Sequence, residues 1–371
     1  MKMVVSGGGT GGHIYPALAL VEALQSRDPQ AEILYVGSQR GLEKGIVTKK
    51  GLKFEALKIQ GFRRKLFSLY NFETVHLFLK SVRQSKQILR SFQPDVVVGT
   101  GGYVSGAVLY AAAKLGIPTV IHEQNSVVGW TNKFLSRYVD KIAIAFDEAR
   151  SQFPVNKVVF TGNPRAQQVA NVRSDFKWSQ LGLHDQQPTV LIFGGSQGAL
   201  KLNQASVAAL PAFKTKAYQV VFVTGKGRYD DVMQQVDASE IGKNVKILPY
   251  INNMPEVLPK VALIVGRAGA TSLAEITALG IPSILVPSPY VTADHQTKNA
   301  MSLVKNRAAI LETETDLSGK SLVTKIDLLM DDEPRRAAMA QNARGLGVVD
   351  AADRLLAVCD AAIANHQVHN N

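Results

Sequence analysis

Cysteine is almost absent from the 371 residues: Cys359 stands alone. No internal disulfide can form, and a thiolate-rich zinc or iron–sulfur site has no ligands to draw on. A reducing cytoplasm fits that usage. Acid is also short, since 30 Asp and Glu face 42 Lys and Arg, which leaves a net charge of +12 and a pI near 9.6. Such an excess implies an anionic partner: nucleic acid, an acidic membrane surface or a phosphorylated substrate. Long apolar runs are missing. The start passes from Met1 into a short apolar stretch and then glycines, without the apolar core and cleavage site of a signal peptide. The most apolar long segment, residues 103–121, is broken by Gly106, Lys114, Gly116 and Pro118, so no bilayer-crossing segment is expected. With 46% hydrophobic and 19% charged residues disorder is not a candidate, and this length allows two domains with proper cores.

Glycine is plentiful, and it clusters. Residues 2–6 read as a strand, followed by Gly7-Gly8-Gly9-Thr10-Gly11-Gly12-His13 and a helical pattern over 14–24, which is how a doubly wound α/β unit opens. One such loop is a weak signal. The pattern restarts, however, with a strand at 188–193, the loop Gly194-Gly195-Ser196-Gln197-Gly198 and a helix at 199–210. Two Rossmann-like parallel-sheet domains facing one cleft are therefore expected. Further strands are expected at 33–36, 96–99, 118–121 and 142–145, then at 219–223, 245–248, 261–265 and 283–286. The Gly162-Asn163-Pro164-Arg165 turn sets the border between domains 1–163 and 164–344, and the polar stretch 173–188 leads into the second sheet. A last helix, at about 345–365, has apolar spacing and should dock on a domain.

Residues 261–300 hold the best anion site. An apolar strand ends at Gly266, Arg267-Ala268-Gly269 turn tightly, and a helix follows over 270–279 with Thr271 or Ser272 available to cap it. Free N–H groups at Gly269, Ala270 and Thr271, with the positive end of the helix dipole, suit a phosphate or diphosphate. Glu275, about one turn on, could grip the two hydroxyls of a ribose. Asp294-His295-Gln296 is expected in a polar loop at the carboxyl end of the next strand. A third glycine stretch, residues 99–106, adds another anion-holding edge, and His122-Glu123-Gln124-Asn125 should project from a strand end into the crevice.

Residues 60–93 carry Arg63, Arg64, Lys65, Lys80, Arg83, Lys86 and Arg90 against the single acid Glu73, half of the chain's whole excess. Val75, Phe78, Leu79, Val82 and Leu89 form a helical stripe, of which Val75, Phe78, Val82 and Leu89 are expected to pack on the sheet. Phe67, Leu69, Tyr70 and Phe72, in or beside a loop, suit an anionic membrane surface. Nucleic acid is set aside because no recognisable binding module accompanies the charge.

Together GGGTGGHIYPALAL, GGYVSG, HEQN, GNPR, GGSQGA and the segment from GRAGATSLAE to HQTKNA, in this order, resemble the MurG family. These bacterial enzymes add N-acetylglucosamine to lipid-linked muramyl-pentapeptide in peptidoglycan synthesis. The resemblance implies a GT-B fold, an N-terminal acceptor domain on which the last helix packs back, and a C-terminal donor domain. It also implies UDP-N-acetylglucosamine as donor, an undecaprenyl-diphosphate-linked acceptor, peripheral attachment at the cytoplasmic face of the membrane, and no cofactor. Carried over residue by residue, it puts Thr10, Gly11, Gly12 and Asn125 near the donor sugar. Arg165, Ser196 and Gln296 would contact the donor, with Ser196 near the diphosphate. Ile251 would lie against the uracil and Glu275 on the ribose. Residues 291–296 depart from the family's pattern.

The reaction so implied is an inverting transfer, which needs a base for the acceptor hydroxyl and stabilisation of the leaving diphosphate. His13, next to the first glycine loop, is the candidate base, with Glu123 in reserve. Arg165 or Arg267 could meet the diphosphate as cations. No Asp-x-Asp pair is present to hold a metal. Two rivals stay open: a UDP-N-acetylglucosamine 2-epimerase of the same fold, and a non-catalytic UDP-sugar-binding protein at the membrane surface. A dinucleotide dehydrogenase ranks lower, because Glu32 precedes a strand instead of ending one.

Overall fold

The computed structural model describes residues 1–61, 69–195 and 197–370. The chain forms two compact units, Met1–Gln168 with Asp350–Asn371, and Val169–Val349.

In the first unit seven strands pair in parallel: β1 (Lys2–Gly7), β2 (Glu32–Ser38), β3 (Lys53–Leu57), β4 (Val96–Gly101), β5 (Thr119–Glu123), β6 (Lys141–Ile144) and β7 (Val158–Phe160). Their spatial order is β3-β2-β1-β4-β5-β6-β7. Central strands of a parallel sheet are covered on both faces, hence the unbroken apolar run Met3-Val4-Val5, all fully buried. Alternate residues serve opposite layers. Val4, Val97 and Ile121 pack with Val82 and Leu89 of the helix Leu69–Phe92 and with the helix Tyr103–Lys114. Met3, Val5, Val96 and Val98 meet the helix Gly11–Arg27 and, on the same face, Leu355, Leu356, Cys359 and Ala362 of the final helix, Ala351–Asn370. Burying each of those two leucines is worth about 1.5–3 kcal/mol. Gln167 fastens that helix at its start, accepting the amides of Ala352 and Asp353 at 2.8 and 3.0 Å, and Arg27 pairs with Asp360 further along.

The second unit has six parallel strands: β8 (Thr189–Phe193), β9 (Gln219–Val223), β10 (Val245–Leu248), β11 (Leu263–Gly266), β12 (Ser283–Leu285) and β13 (Ile310–Leu311), ordered β10-β9-β8-β11-β12-β13. β11 starts two residues later than the apolar run suggests, because a 3-10 turn at Leu258–Lys260 carries the chain up to Val261. In each sheet the chain direction of build-up reverses beside the first strand, between β1 and β4 and between β8 and β11. Glycine loops leave the carboxyl ends of those four strands, where open parallel sheets bind ligands.

The basic segment differs from expectation. The described helix runs over Leu69–Phe92, so Tyr70 and Phe72 are helical residues. Val75 does not pack on the sheet: it is 46% exposed, on an outer edge with Phe72 (70%) and Leu79 (63%), while Val82 and Leu89 are buried and Phe78 packs against the core. Arg63, Arg64, Lys65, Leu66 and Phe67 lie outside the described residues, as does the side chain of Leu69. Among the described residues no helix is long and apolar enough to cross a membrane.

Candidate active site

In the first unit two helix starts meet. The helix Gly11–Arg27 follows Thr10, whose side chain makes no capping bond, and its first turn holds no acid. The helix Tyr103–Lys114 follows Gly102 and is equally bare. Gly8 N–H donates to the Gly101 carbonyl at 3.3 Å, which lashes the two loops together. Orphan N–H groups and the positive ends of two helix dipoles make this corner receptive to an anion.

His13 stands in that corner. Its Nδ1 lies 2.9 Å from the Gly8 carbonyl oxygen. A carbonyl only accepts, so in the neutral ring this contact puts the proton on Nδ1 and leaves Nε2 its lone pair. Nε2 has no hydrogen bond to any described residue. Thr100 Oγ1 donates to the His13 carbonyl at 2.7 Å and steadies the backbone. Gly101 makes room for the ring, since a Cβ there would come 2.8 Å from its Cδ2 and 3.0 Å from Nε2. Thr10 and Gly12 are exposed, Gly11 half-buried beside the edge of the Tyr15 ring. Arg165 reaches the same helix: its guanidinium lies 5.4 Å from the Tyr15 ring centroid, and its Nη1 donates to Gln168, which in turn donates to Glu22.

The 122–125 quartet is internal rather than projecting. His122, Glu123 and Gln124 are buried and Asn125 is half-buried. Burial pushes the His122 imidazole down to about 4, with its Nε2 bonded at 2.8 Å to the Gly162 carbonyl. Gln124 donates to the Thr100 carbonyl. Glu123 is not placed to act as a base. Its Oε1 accepts the Asn125 amide and Nδ2 at 3.1 and 3.3 Å, and its Oε2 accepts the Gly129 amide and Asn132 Nδ2 at 3.0 and 2.9 Å. Four donors leave the carboxylate a loop brace.

One buried acid under the first glycine loop escaped the sequence reading. Glu43, fully buried, accepts the Gly9 amide at 3.3 Å and the Ser38 amide at 2.7 Å. The glycines that make space for it, Gly8, Gly37 and Gly41, were the available signal.

In the second unit the helix Ala270–Leu279 starts bare. Gly269 occupies the cap position, where it has no side chain to offer, so neither Thr271 nor Ser272 is the cap. Thr271 Oγ1 is buried with no hydrogen-bond partner among the described residues. Glu275 is 9% exposed, not a solvated acid. Arg267 is not available as a cation: it pairs with Glu314 and donates to the Val286 carbonyl at 3.0 Å. Gln296 lies in the first turn of the helix His295–Lys305 rather than in a loop, and its Oε1 accepts the Ser288 amide at 2.9 Å. Asn299, on the same helix, donates to the Ala268 carbonyl at 3.4 Å, so this helix is tied to the β11 loop. Ile251 is half-buried beside Tyr250, over whose ring Lys226 Nζ sits at 4.6 Å. Ser196 lies outside the described residues; around it Gly195 and Gly198 have φ of +91° and +73°. Among the described residues no three His, Cys, Asp or Glu side chains are placed to hold a metal ion.

Residues 3–144 match the glycosyltransferase family 28 N-terminal domain, and residues 189–355 match its C-terminal domain. A UDP-N-acetylglucosamine--N-acetylmuramyl-(pentapeptide) pyrophosphoryl-undecaprenol N-acetylglucosamine transferase of Levilactobacillus brevis is 64% identical over 97% of this chain and 99% of its own. The crystal structure of Acinetobacter baumannii MurG superposes with a TM-score of 0.76 at 27% identity, covering 97% of this chain and 99% of that one. A UDP-GlcNAc 2-epimerase from Neisseria meningitidis, at 16% identity, TM-score 0.69 and coverage of 96% and 99%, shares the fold alone. Two glycine-lipped parallel sheets, both halves of the domain match and near-complete alignment with a relative lead to one assignment: the chain belongs to the MurG family of GT-B glycosyltransferases.

Proposed function

We propose that the chain transfers N-acetylglucosamine from UDP-N-acetylglucosamine to the muramyl sugar of an undecaprenyl-diphosphate-linked MurNAc-pentapeptide, with inversion at the anomeric carbon. The observation that carries the mechanism is the His13 ring, its Nδ1 lying 2.9 Å from the Gly8 carbonyl oxygen. Nε2 takes the proton from the acceptor hydroxyl as that oxygen attacks the anomeric carbon, and the bond to the UDP oxygen breaks on the opposite face. Negative charge then grows on the diphosphate, which the bare start of the helix Ala270–Leu279, at Gly269, Ala270 and Thr271, stabilises with the Ser196 loop. Glu275 accepts from the ribose hydroxyls, and backbone at Ile251 reads the uracil edge. Gln296 meets the donor sugar through its amide NH2, because its oxygen already serves Ser288. Asn125, Arg165 and the Thr10-Gly11-Gly12 lip complete the sugar's surroundings.

The protein works as a peripheral protein on the cytoplasmic face of the membrane, held by the outer edge of the helix Leu69–Phe92. Phe72, Val75 and Leu79 are exposed there beside the exposed cations Lys80 and Arg83. Phe78 of that helix stacks edge-on with Phe134, centroids 6.2 Å apart, which brings in the helix Trp130–Leu135 with Trp130, 80% exposed, and exposed Lys133. Apolar rings among cations suit anionic head groups over an acyl layer.

Incubation with labelled UDP-N-acetylglucosamine and a competent lipid-linked muramyl acceptor should move label into a lipid-soluble disaccharide. Label that stays in water with the acceptor present rejects this reading, and label recovered as the 2-epimer supports the epimerase instead.

A further inference from the structure

Glu43 has no part in the transfer as described, yet its position is hard to explain otherwise. It is fully buried, and among the described residues no Lys, Arg or His pairs with it. A buried carboxylate without a cation is costly to keep, so its hydrogen bonds have to compensate. Oε1 accepts the Ser38 amide and hydroxyl, and Oε2 accepts the Gly9 amide. Its cage is glycine on three sides: a Cβ on Gly41 or Gly8 would come 1.9 or 2.4 Å from a carboxylate oxygen, and one on Gly37 would come 2.7 Å from Cγ.

The Gly9 N–H and the Gly8 C=O belong to one peptide group. Its nitrogen faces Glu43 at 3.3 Å, and its oxygen accepts the His13 Nδ1 proton at 2.9 Å. Carboxylate, peptide and imidazole thus stand in series. Two tyrosines border this series. Tyr35 donates to the neighbouring Gly7 carbonyl at 2.7 Å, and burial together with the Glu43 charge pushes its hydroxyl far up, so it stays a neutral donor. Tyr103 lies beside Gly9.

We propose that Glu43 is a positioning residue which, acting through the Gly8–Gly9 peptide, fixes the tautomer and orientation of His13 so that Nε2 is presented to the acceptor hydroxyl. The negative carboxylate polarises the peptide, and a polarised carbonyl is a stronger acceptor for Nδ1–H. When Nε2 gains its proton, the same series stabilises the imidazolium, as a carboxylate bonded directly to a catalytic histidine does. This role rests on His13 being the base.

Glu43→Gln keeps the shape and removes the charge. Turnover is expected to fall about 10–100-fold, with KM for UDP-N-acetylglucosamine within about twofold, and the His13 Cε1 proton resonance should titrate at lower pH than in the unsubstituted protein. Glu43→Asp should recover part of the turnover. His13→Gln is measured in parallel: full turnover there removes the base and this role with it. If His13→Gln is inactive while Glu43→Gln leaves both turnover and the His13 titration unchanged, the Glu43 role alone is overturned. Should Glu43→Gln not fold, the unsubstituted protein decides. Its Gly9 amide resonance should move as His13 titrates, and an amide indifferent to that titration overturns the proposal.

Discussion

A Cβ on Gly102 would stand 2.4 Å from the carbonyl oxygen of Gly8, so the loops after β4 and β1 touch backbone to backbone. That same oxygen receives the His13 proton. Gly102 also has φ of +83°, which a larger residue adopts only with strain. Gly102→Ala should therefore cost more than the roughly 1–3 kcal/mol of backbone strain alone, and it should lower turnover by displacing Gly8. Gly116, at φ +68° with nothing within 4 Å of its would-be Cβ, is the control. Gly116→Ala should cost about 1–2 kcal/mol and leave turnover intact. Urea midpoints with parallel kinetics separate the two.

His13→Gln should reduce turnover by about 10²–10⁴-fold. The nucleotide site proposed in the second unit uses other residues, so UDP affinity by calorimetry should change by no more than about twofold. A variant that turns over normally would move the search for the base elsewhere.

Glu123→Ala should behave as a folding defect. Removing a buried carboxylate strands the amides of Asn125 and Gly129 and the side chain of Asn132. A loss of about 3 kcal/mol or more is expected. Turnover should track the folded fraction as temperature is varied, with no change in the pH profile.

The contrast between Glu123 and Glu43 shows what could be read from the chain alone. Apolar strands and glycine loops are local signals, so the positions of β1, β8 and their loops follow from residues that are neighbours in sequence. A strand-end carboxylate at Glu123 is equally visible, but its four partners are set by how residues 125–132 fold back, which no spacing reveals. Glu43 is harder still, because its cage draws Gly8 from the loop after β1, Gly37 from the end of β2 and Gly41 from the loop beyond it. Val75 was misplaced for a simpler reason. Helical spacing puts it at the margin of the apolar stripe, and only the width of the facing helix decides which margin is covered.

His122 should make the first unit acid-sensitive. Its ordinary value is near 6.5 and burial lowers it to about 4 in the folded protein. The unfolded chain thus binds the extra proton first, so this contribution is fully present above about pH 6.5 and drains as pH falls towards 4. The total is about 3 kcal/mol. His122→Gln, which keeps a donor for Gly162 and cannot titrate, should flatten the fall in urea midpoint between pH 7 and 4.5.

Phe72→Ser with Leu79→Ser should weaken binding to anionic vesicles by at least about tenfold, given the 1.5–3 kcal/mol that each apolar side chain gains on burial. Both positions are exposed, so stability should change by only about 0.5 kcal/mol. Turnover on a water-soluble acceptor should be unchanged. Added salt should weaken the remaining binding.

The final helix supplies Leu355, Leu356, Cys359 and Ala362 to the layer against β1 and β4. On the ribosome these residues emerge roughly 190 positions after Gln168, a delay of about 10–40 s at ordinary elongation rates. Until then that face of the nascent N-terminal sheet is only partly covered, by the helix Gly11–Arg27, and the intervening half can fold first. Premature termination anywhere before residue 355 should yield a truncated product that chaperones retain and proteases clear, even though every glycine loop has already been translated.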